Sequence, residues 1–365
     1  MLSKLTIKNF RCFDQININF NSSLILIEGN NGSGKTSILE ALHFLGYLKS
    51  FRTHIAKELI NILSDNFFIK AVFTDNENNE NNLQVGFSGK KRLVKINEKS
   101  IQSYKELMHF YRVITLTEDD LALIKEGPDL RRSFIDQHIL LCDSTYLIIL
   151  KKYRQILENR NALLNNGYCS DEEYALWTKQ LLEQSLIIQD IRQKYLLDLN
   201  KAINSLFSTY FNDTFKIKFI YEIRESKSYD FLMKNHLKDN ELRQRRSLFG
   251  AHLDDFSIIF SDKKSRIFAS RGQQKLIVLL IKIAQIKQIL EKELNGSLIF
   301  ILDDFMTDFD IDKINKIMPM LFDLNIQLIF TTPLEENPLK SLILGKNAQI
   351  LNLNEFDRLG KNINI

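Results

Sequence analysis

The sequence predicts a parallel α/β core that is divided in the chain by a helical insert. Three stretches carry that prediction. "LILIEG" (Leu24–Gly29) begins as an unbroken apolar run, the mark of a strand buried on both faces, and leads straight into a glycine-rich turn and a helix. "SLIFILDD" (Ser297–Asp304) is a second such run, ending in two carboxylates. Between them, from Asp129 to Phe207, apolar residues recur at three and four positions, as amphipathic helices require.

The elements follow in order. "KLTIKNF", "QININF" and "LILIEG" read as strands joined by turns, and Ser37–Leu48 as the helix after the glycine-rich turn. "FFIKAVFT", "LQVGFS" and "RLVKINE" alternate as an antiparallel meander, with "DNENNENN" (Asp75–Asn82) as a hairpin loop. A helix at Tyr104–Phe110 leads to the strand "YRVITL". After the helical insert, strands return at "FKIKFIYEI" and "FSIIF", then comes the long helix "QQKLIVLLIKIAQIKQILEKEL". The strand "SLIFIL", a helix, the strand "IQLIFTT" and a short tail complete the chain.

Composition narrows the classes. The 365 residues, 44% of them hydrophobic, suffice for one large or two ordinary domains with proper cores. A net charge of +4 permits nucleic-acid binding without demanding it. Cys12, Cys142 and Cys169 lack metal-ligand spacing, and an odd number makes no disulfide framework, so a reducing cytoplasm is expected. No apolar run is long enough to span a bilayer, and "MLSKLTIKNF" reads as a strand and not as a signal peptide; no membrane partner is expected.

Gly29-Asn30-Asn31-Gly32-Ser33-Gly34-Lys35-Thr36 fits G-x-x-x-x-G-K-[ST]. Its glycines let backbone N–H groups close on phosphate oxygens, and the following helix points its N-terminus at the anion. Lys35 is expected on the β- and γ-phosphates of ATP and the Thr36 hydroxyl on Mg²⁺. A chance match in an ordinary turn would not bring an apolar strand before it and a helix after it. Such a loop needs a distant carboxylate. Asp303 is placed to hold Mg²⁺ through water and Asp304 to polarise the attacking water; the plain alternative is an acidic strand end in solvent.

"ASRGQQK" (Ala269–Lys275) opens the long helix. Ser270, Arg271, Gly272 and Gln273 form either a simple N-cap or a second anion site. One nucleotide cannot easily use two such helix starts in one molecule. A two-fold homodimer, with each Ser270 loop closing on the γ-phosphate of the other molecule's ATP, resolves this. "TDFD" (Thr307–Asp310) falls where such dimers exchange contacts. The nucleotide then acts as a clamp between two molecules.

P-loop, Ser270 helix start and acidic strand, in this order, resemble the head of the ABC/SMC ATPase superfamily. "LTIKNFRCF" resembles the opening of SMC-type heads, in which the arginine after "NF", here Arg11, lies near the nucleotide. "GPDLRRSFID" (Gly127–Asp136), "NRNALL", "LWTKQL", "GAHLDDF", "SRGQQK" and "LDDFMTDFD" are similar, in the same order, to segments of the bacterial RecF family.

The resemblance implies an ABC/SMC-type P-loop ATPase head from residues 1–135 and 245–365, with 136–244 as a mainly helical short arm, the family's lobe II. It also implies an ATP-dependent homodimer on double-stranded DNA beside gaps or single strands. Further implied are RecR and RecO as partners, RecA loaded indirectly, and action in recombination, repair, fork maintenance and the SOS response at the cytoplasmic nucleoid. Departures are Glu118-Asp119-Asp120-Leu121 without the usual preceding proline, Glu126 for a glycine, "TDFD" for S-E-L-D, and Asp304 for a glutamate. Thr331 or Thr332 stands where ABC transporters carry a histidine. Slow, DNA-stimulated ATP hydrolysis is the expectation. A transporter ATPase subunit would show LSGGQ and a glutamate at 304. A long-armed SMC protein would need heptads over far more than this insert.

Lys90, Lys91 and Arg92, and Arg243, Arg245 and Arg246, are candidate DNA contacts, with Lys263, Lys264 and Arg266 near the Ser270 loop; each cluster reads equally as solvated surface. Arg131 and Arg132 are expected to pair with Asp129 or Asp136 along their helix, or else to meet DNA. His252 reads as a hydrogen-bond hub or part of the nucleotide interface, and Trp177 as helix packing.

Overall fold

The computed structural model describes residues 1–74, 79–101, 103–211, 216–223, 237–292, 296–304, 309–333 and 338–354. Asp75–Asn78 of the expected hairpin loop and Thr307–Asp308 of "TDFD" lie outside them. Contacts divide the chain into two compact units, Met1–Asp120 with Glu293–Ile365, and Leu121–Lys292. That cut differs from the expected 1–135 and 245–365 against 136–244, since it keeps residues 121–135 and 245–292 with the helical insert.

The first unit begins with β1 (Leu2–Phe10), β2 (Phe13–Asn19) and β3 (Leu24–Glu28), followed by α1 (Lys35–Tyr47). Then come β4 (Phe67–Thr74), β5 (Glu80–Phe87), β6 (Arg92–Ile96), β7 (Lys99–Ser100), α2 (Tyr104–Phe110) and β8 (Tyr111–Leu116). A six-stranded antiparallel sheet runs β2-β1-β4-β5-β6-β7. Its alternation follows the pleat: β4 buries Phe67, Ile69, Ala71 and Phe73 and turns Phe68, Lys70 and Val72 outward.

In the second unit, α3 (Ala122–Lys125), α4 (Pro128–Cys142), α5 (Tyr146–Asn165) and α6 (Asp171–Phe211) precede β9 (Ile217–Glu222), β10 (Asp255–Phe260) and β11 (Lys263–Lys264). Pro128 opens α4 at a position where its missing N–H costs nothing. α6, 41 residues long, buries Tyr174, Thr178, Leu181, Ser185, Ile188, Arg192, Leu196, Leu199 and Ile203, one stripe at helical spacing, against α5 and the helix Arg271–Leu290. β10 pairs antiparallel with β9, tying the chain before and after the helix Leu237–Gln244 together.

Buried charge fixes this unit. Arg131 grips Asp255 with two hydrogen bonds, 2.6 and 2.8 Å, and donates to Glu126 O at 2.7 Å. Arg132 donates to Asp254 O at 2.6 Å and pairs with Asp129. Asp136, expected as a partner of these arginines, instead accepts both donors of Arg192 at 2.9 Å, and Arg192 also donates to Ala251 O. Arg160 and Glu241, both fully buried, form a third bidentate pair, with Thr178, Tyr174 and Ser247 completing the network. Gly250 (φ 115°) could not carry a side chain, because a Cβ would stand 2.8 Å from the Tyr153 hydroxyl.

The chain returns to the first unit with β12 (Ser297–Leu302), the helix Ile311–Phe322, β13 (Gln327–Thr332) and β14 (Gln349–Asn352). These strands build an all-parallel sheet, β14-β3-β13-β12-β8. One apolar core joins both sheets of the unit, with α1 touching β8 of the parallel sheet and β1 and β5 of the antiparallel one. The parallel sheet places the ends of β3, β12 and β13 side by side.

Candidate nucleotide site

β3 is buried along all five residues and delivers Gly29 to the turn. Gly32 (φ 81°) and Gly34 (φ 101°) take the left-handed region, and a Cβ on Gly34 would lie 2.4 Å from the Phe13 ring. A Cβ on Gly29 would meet Ser33 Oγ at 2.5 Å. Gly34 then caps α1, whose first turn carries no carboxylate to compete for an anion. Lys35 is buried and donates to Gly29 O at 2.8 Å and Asn30 O at 3.3 Å. Asn30 N–H donates to Asn354 Oδ1 at 3.1 Å, and Leu353 N–H to Glu28 O at 2.8 Å, so the end of β14 braces the loop.

Asp303 leaves β12 beside this loop. Thr36 Oγ1 donates to Asp303 Oδ1 at 3.2 Å, and Thr331 Oγ1 to the same oxygen at 2.8 Å. Thr331 Oγ1 in turn accepts from Asp304 N–H at 2.8 Å, holding Asp304 in a left-handed conformation (φ 46°). Thr331 is thus joined to both carboxylate residues. Burial pushes the Asp303 carboxyl up, the Thr331 bond opposes this, and the neighbouring Asp304 charge adds to the rise.

These groups fit ATP with Mg²⁺. Ser33 Oγ is buried without a hydrogen-bond partner, the loop at Gly29 and Gly34 admits no side chain, and a hydroxyl and a carboxylate converge as hard oxygen ligands. Among the described residues no three His, Cys, Asp or Glu side chains gather around one point, and Mg²⁺ needs no such cage, since water and phosphate complete its octahedron. Thr36 and Asp303 would hold the ion, which supplies charge neutralisation to the phosphates.

Arg11 (φ 53°) is held on α1, the helix that leaves the loop. Its guanidinium makes two bonds to the buried Glu40 of α1, 2.8 and 2.7 Å, and a third to Glu58 O at 3.1 Å. Ser50 bonds the same carboxylate. A buried glutamate one turn into α1 leaves no periodic trace in the sequence.

In the second unit, Ser270 caps the helix Arg271–Leu290 with a complete capping box: Gln273 N–H donates to Ser270 Oγ at 3.3 Å, and Ser270 N–H to Gln273 Oε1 at 2.8 Å. Ser270 and Arg271 are exposed, Gly272 is half-buried, and Ile267 and Phe268 just before them are exposed apolar side chains, 69% and 61%. His252 meets Tyr153 at 2.8 Å and Ser247 O at 3.4 Å, as a structural hub. Trp177 is half-buried on α6.

Lys90 and Lys91 are exposed in the turn between β5 and β6, and Arg92, also exposed, donates to Leu48 O at 2.7 Å, at the C-cap of α1. Arg243, Arg245, Arg246, Lys263, Lys264 and Arg266 are exposed. No helix among the described residues is long and apolar enough to cross a membrane.

Parallel sheet, glycine loop and facing carboxylate define a P-loop ATPase head of the ABC/SMC type. The family model for the "RecF/RecN/SMC N terminal domain" matches residues 1–342. The DNA replication and repair protein RecF of Leptospira interrogans serovar Lai is 32% identical over 338 residues, covering 92% of both chains. The RecF of Acholeplasma laidlawii is 30% identical, covering 92% of this chain and 95% of its own. A solved structure of the recombination mediator protein RecF with ATP, in the RecFOR pathway, superposes with a TM-score of 0.80 at 24% identity over 92% of both chains. A solved Smc head domain from Pyrococcus furiosus shares the fold more loosely, at a TM-score of 0.54 and 14% identity over 93% of this chain. The chain belongs to the RecF family.

Proposed function

We propose that the protein is an ATP-switched DNA clamp acting in replication and repair. The observation that carries the reading is the hydrogen-bond chain Thr36–Asp303–Thr331–Asp304, which joins the first turn of α1 to the ends of β12 and β13 and supports Thr36 and Asp303 as metal ligands and Asp304 as the group that polarises water. Lys35 is the cation for the β- and γ-phosphates. Asp304 would accept the proton of the attacking water as the bond between the γ-phosphorus and the bridging oxygen breaks, releasing ADP and phosphate.

The exposed Ser270 loop, with Ile267 and Phe268 beside it, supports closure on the ATP of a second copy, and this apolar surface supports burial there. Hydrolysis would then open the dimer and release duplex DNA held near a single-strand gap. An aspartate at 304 and a threonine in the histidine's place favour slow turnover, stimulated by DNA. The RecFOR setting of the solved relative supports RecO and RecR as partners and the loading of RecA, in a cytoplasmic protein at the nucleoid, within recombination and the SOS response.

Duplex retention and ATP turnover test the reading together. Asp304→Asn should keep ATP-dependent duplex binding and lose roughly a hundredfold in turnover. Lys35→Met should lose both. Duplex binding indifferent to ATP in wild type and both variants would overturn the switch.

A further inference from the structure

Lys4, Lys8, Lys70 and Lys95 lie far apart in the sequence, yet the sheet register gathers them. Thr6 stands opposite Asn17 and Lys70, Lys70 opposite Gln84, and Gln84 opposite Lys95, one row across five strands. Lys8 faces Phe68 and Lys4 faces Val72 in the flanking rows. Leu5, Ile7, Ile69, Ala71, Val85 and Val94, on the opposite side of the same strands, fill the core, so this row is the outer face of the six-stranded sheet.

Lys4 and Lys8 are exposed, Lys70 and Lys95 half-buried, and none of the four makes an ion pair among the described residues. The amides between them are already engaged. Asn17 accepts from Thr6 at 2.8 Å, and Gln84 donates to Glu98 at 2.6 Å. Glu98 and Asp14 stand at the margins of the face.

We infer that this outer sheet face docks duplex DNA through its backbone phosphates. The inference rests on the DNA-clamp reading above and names the surface it would use. Strand spacing puts Lys70 and Lys95 about 10 Å apart, and Lys4 and Lys8 about 13 Å apart along β1. Those separations are comparable with the width of the major groove, roughly 12 Å, so the ammonium groups reach phosphates on either side of it. Four lysine point charges contact backbone phosphates and carry no base-edge code, so binding is independent of sequence. Single-strand platforms stack bases on exposed aromatic rings. The aromatic of this face among the described residues is the half-buried Phe68. Duplex is therefore the occupant.

The test compares wild type, a fourfold Lys→Gln variant at 4, 8, 70 and 95, and a control with four exposed lysines of α5 and α6 replaced, Lys151, Lys152, Lys179 and Lys194. Affinity for a 40-base-pair duplex and for a single strand of equal length is measured with ATP over a range of salt. The sheet variant should bind duplex at least tenfold more weakly, with a shallower salt slope by about two to four, because each phosphate contact contributes about 0.9. Its ATP-dependent molar mass should match wild type, and the control should bind as wild type does. Should the fourfold variant fail to fold, the pairs Lys4/Lys8 and Lys70/Lys95 carry the comparison. Unchanged duplex affinity in the sheet variant, an equal loss in the control, or a loss confined to single strands would each overturn the inference. Wild type that ignores duplex altogether would instead bring down the clamp reading.

Discussion

Arg131 and Asp255, 124 residues apart in the chain, are joined by two hydrogen bonds of 2.6 and 2.8 Å. The pair fastens "GPDLRRSFID" to "GAHLDDF", two segments that share no chemistry until the second unit folds. Arg132 on Asp254 O and Arg192 on Asp136 and Ala251 O fasten the same segments twice more. Arginine presents two parallel donors to a carboxylate, so each clasp fixes direction as well as distance.

Arg131→Ala leaves the Asp255 carboxylate half-buried and unmatched, and urea unfolding should show a loss of about 2 kcal/mol, below the value for a fully buried pair because Asp255 keeps some solvent. Burial raises the Asp255 carboxyl, but the bonds from Arg131 and from Phe256 N–H hold it below the usual carboxylate range. A depressed folded pKa gives stability that is complete above the unfolded value near 3.8 and is lost as pH falls through the folded one. Wild type should therefore lose this contribution in the acid range below that value, while Arg131→Ala should not. Identical acid unfolding curves would refute the clasp.

Glu241→Gln strands the buried Arg160 cation and should destabilise the second unit by about 3–5 kcal/mol. Arg160→Met combined with Glu241→Leu should recover much of that loss, since no buried charge remains. A double variant as unstable as the sum of its singles would show the two residues to be independent.

Thr331→Val removes the donor to Asp303 and the acceptor for Asp304 N–H at one stroke. Turnover should drop about tenfold or more, and Thr331→Ser, which keeps the hydroxyl, should restore it. Equal activity of the valine and serine variants would dissociate Thr331 from the site.

Asp303 carries a raised carboxyl in the folded protein. A raised folded pKa means that the protonated form is favoured by folding, a contribution present below the unfolded value and lost as pH rises through the folded one. Mg²⁺ requires the ionised form, so the thermal stabilisation given by Mg²⁺ with a nonhydrolysable ATP analogue should weaken as pH falls toward the carboxylate range. The weakening should begin above the pH of an ordinary aspartate and vanish in Asp303→Asn. A stabilisation flat from neutral pH into that range would contradict the assignment.

What the sequence disclosed was the chemistry written in neighbouring residues. Gly29–Thr36 declares itself because strand, turn and helix are consecutive, and Asp303 because it ends an apolar run. Arg132 with Asp129 was legible as a helical pair three apart, but Arg131 has no partner at helical spacing, and only the β9–β10 pairing brings Asp255 to it. Arg92 reads as one of three exposed cations, and it is exposed, but its bond to Leu48 O at the end of α1 follows from strand parity and the fold. Arg11 next to "NF" is expected near the nucleotide only through the family resemblance, and its engagement by Glu40 depends on a tertiary contact that no local pattern encodes. The four lysines of the outer sheet face belong to three strands and become neighbours only through the register.

Molar mass in solution, measured by light scattering with and without ATP and Mg²⁺, tests the clamp most directly. Wild type should be a monomer that doubles its mass with ATP; Lys35→Met and Ser270→Arg should stay monomeric, and Asp304→Asn should hold the dimer longest. A monomer under every condition would mean that the Ser270 loop completes no neighbour's site, and the clamp would have to be abandoned.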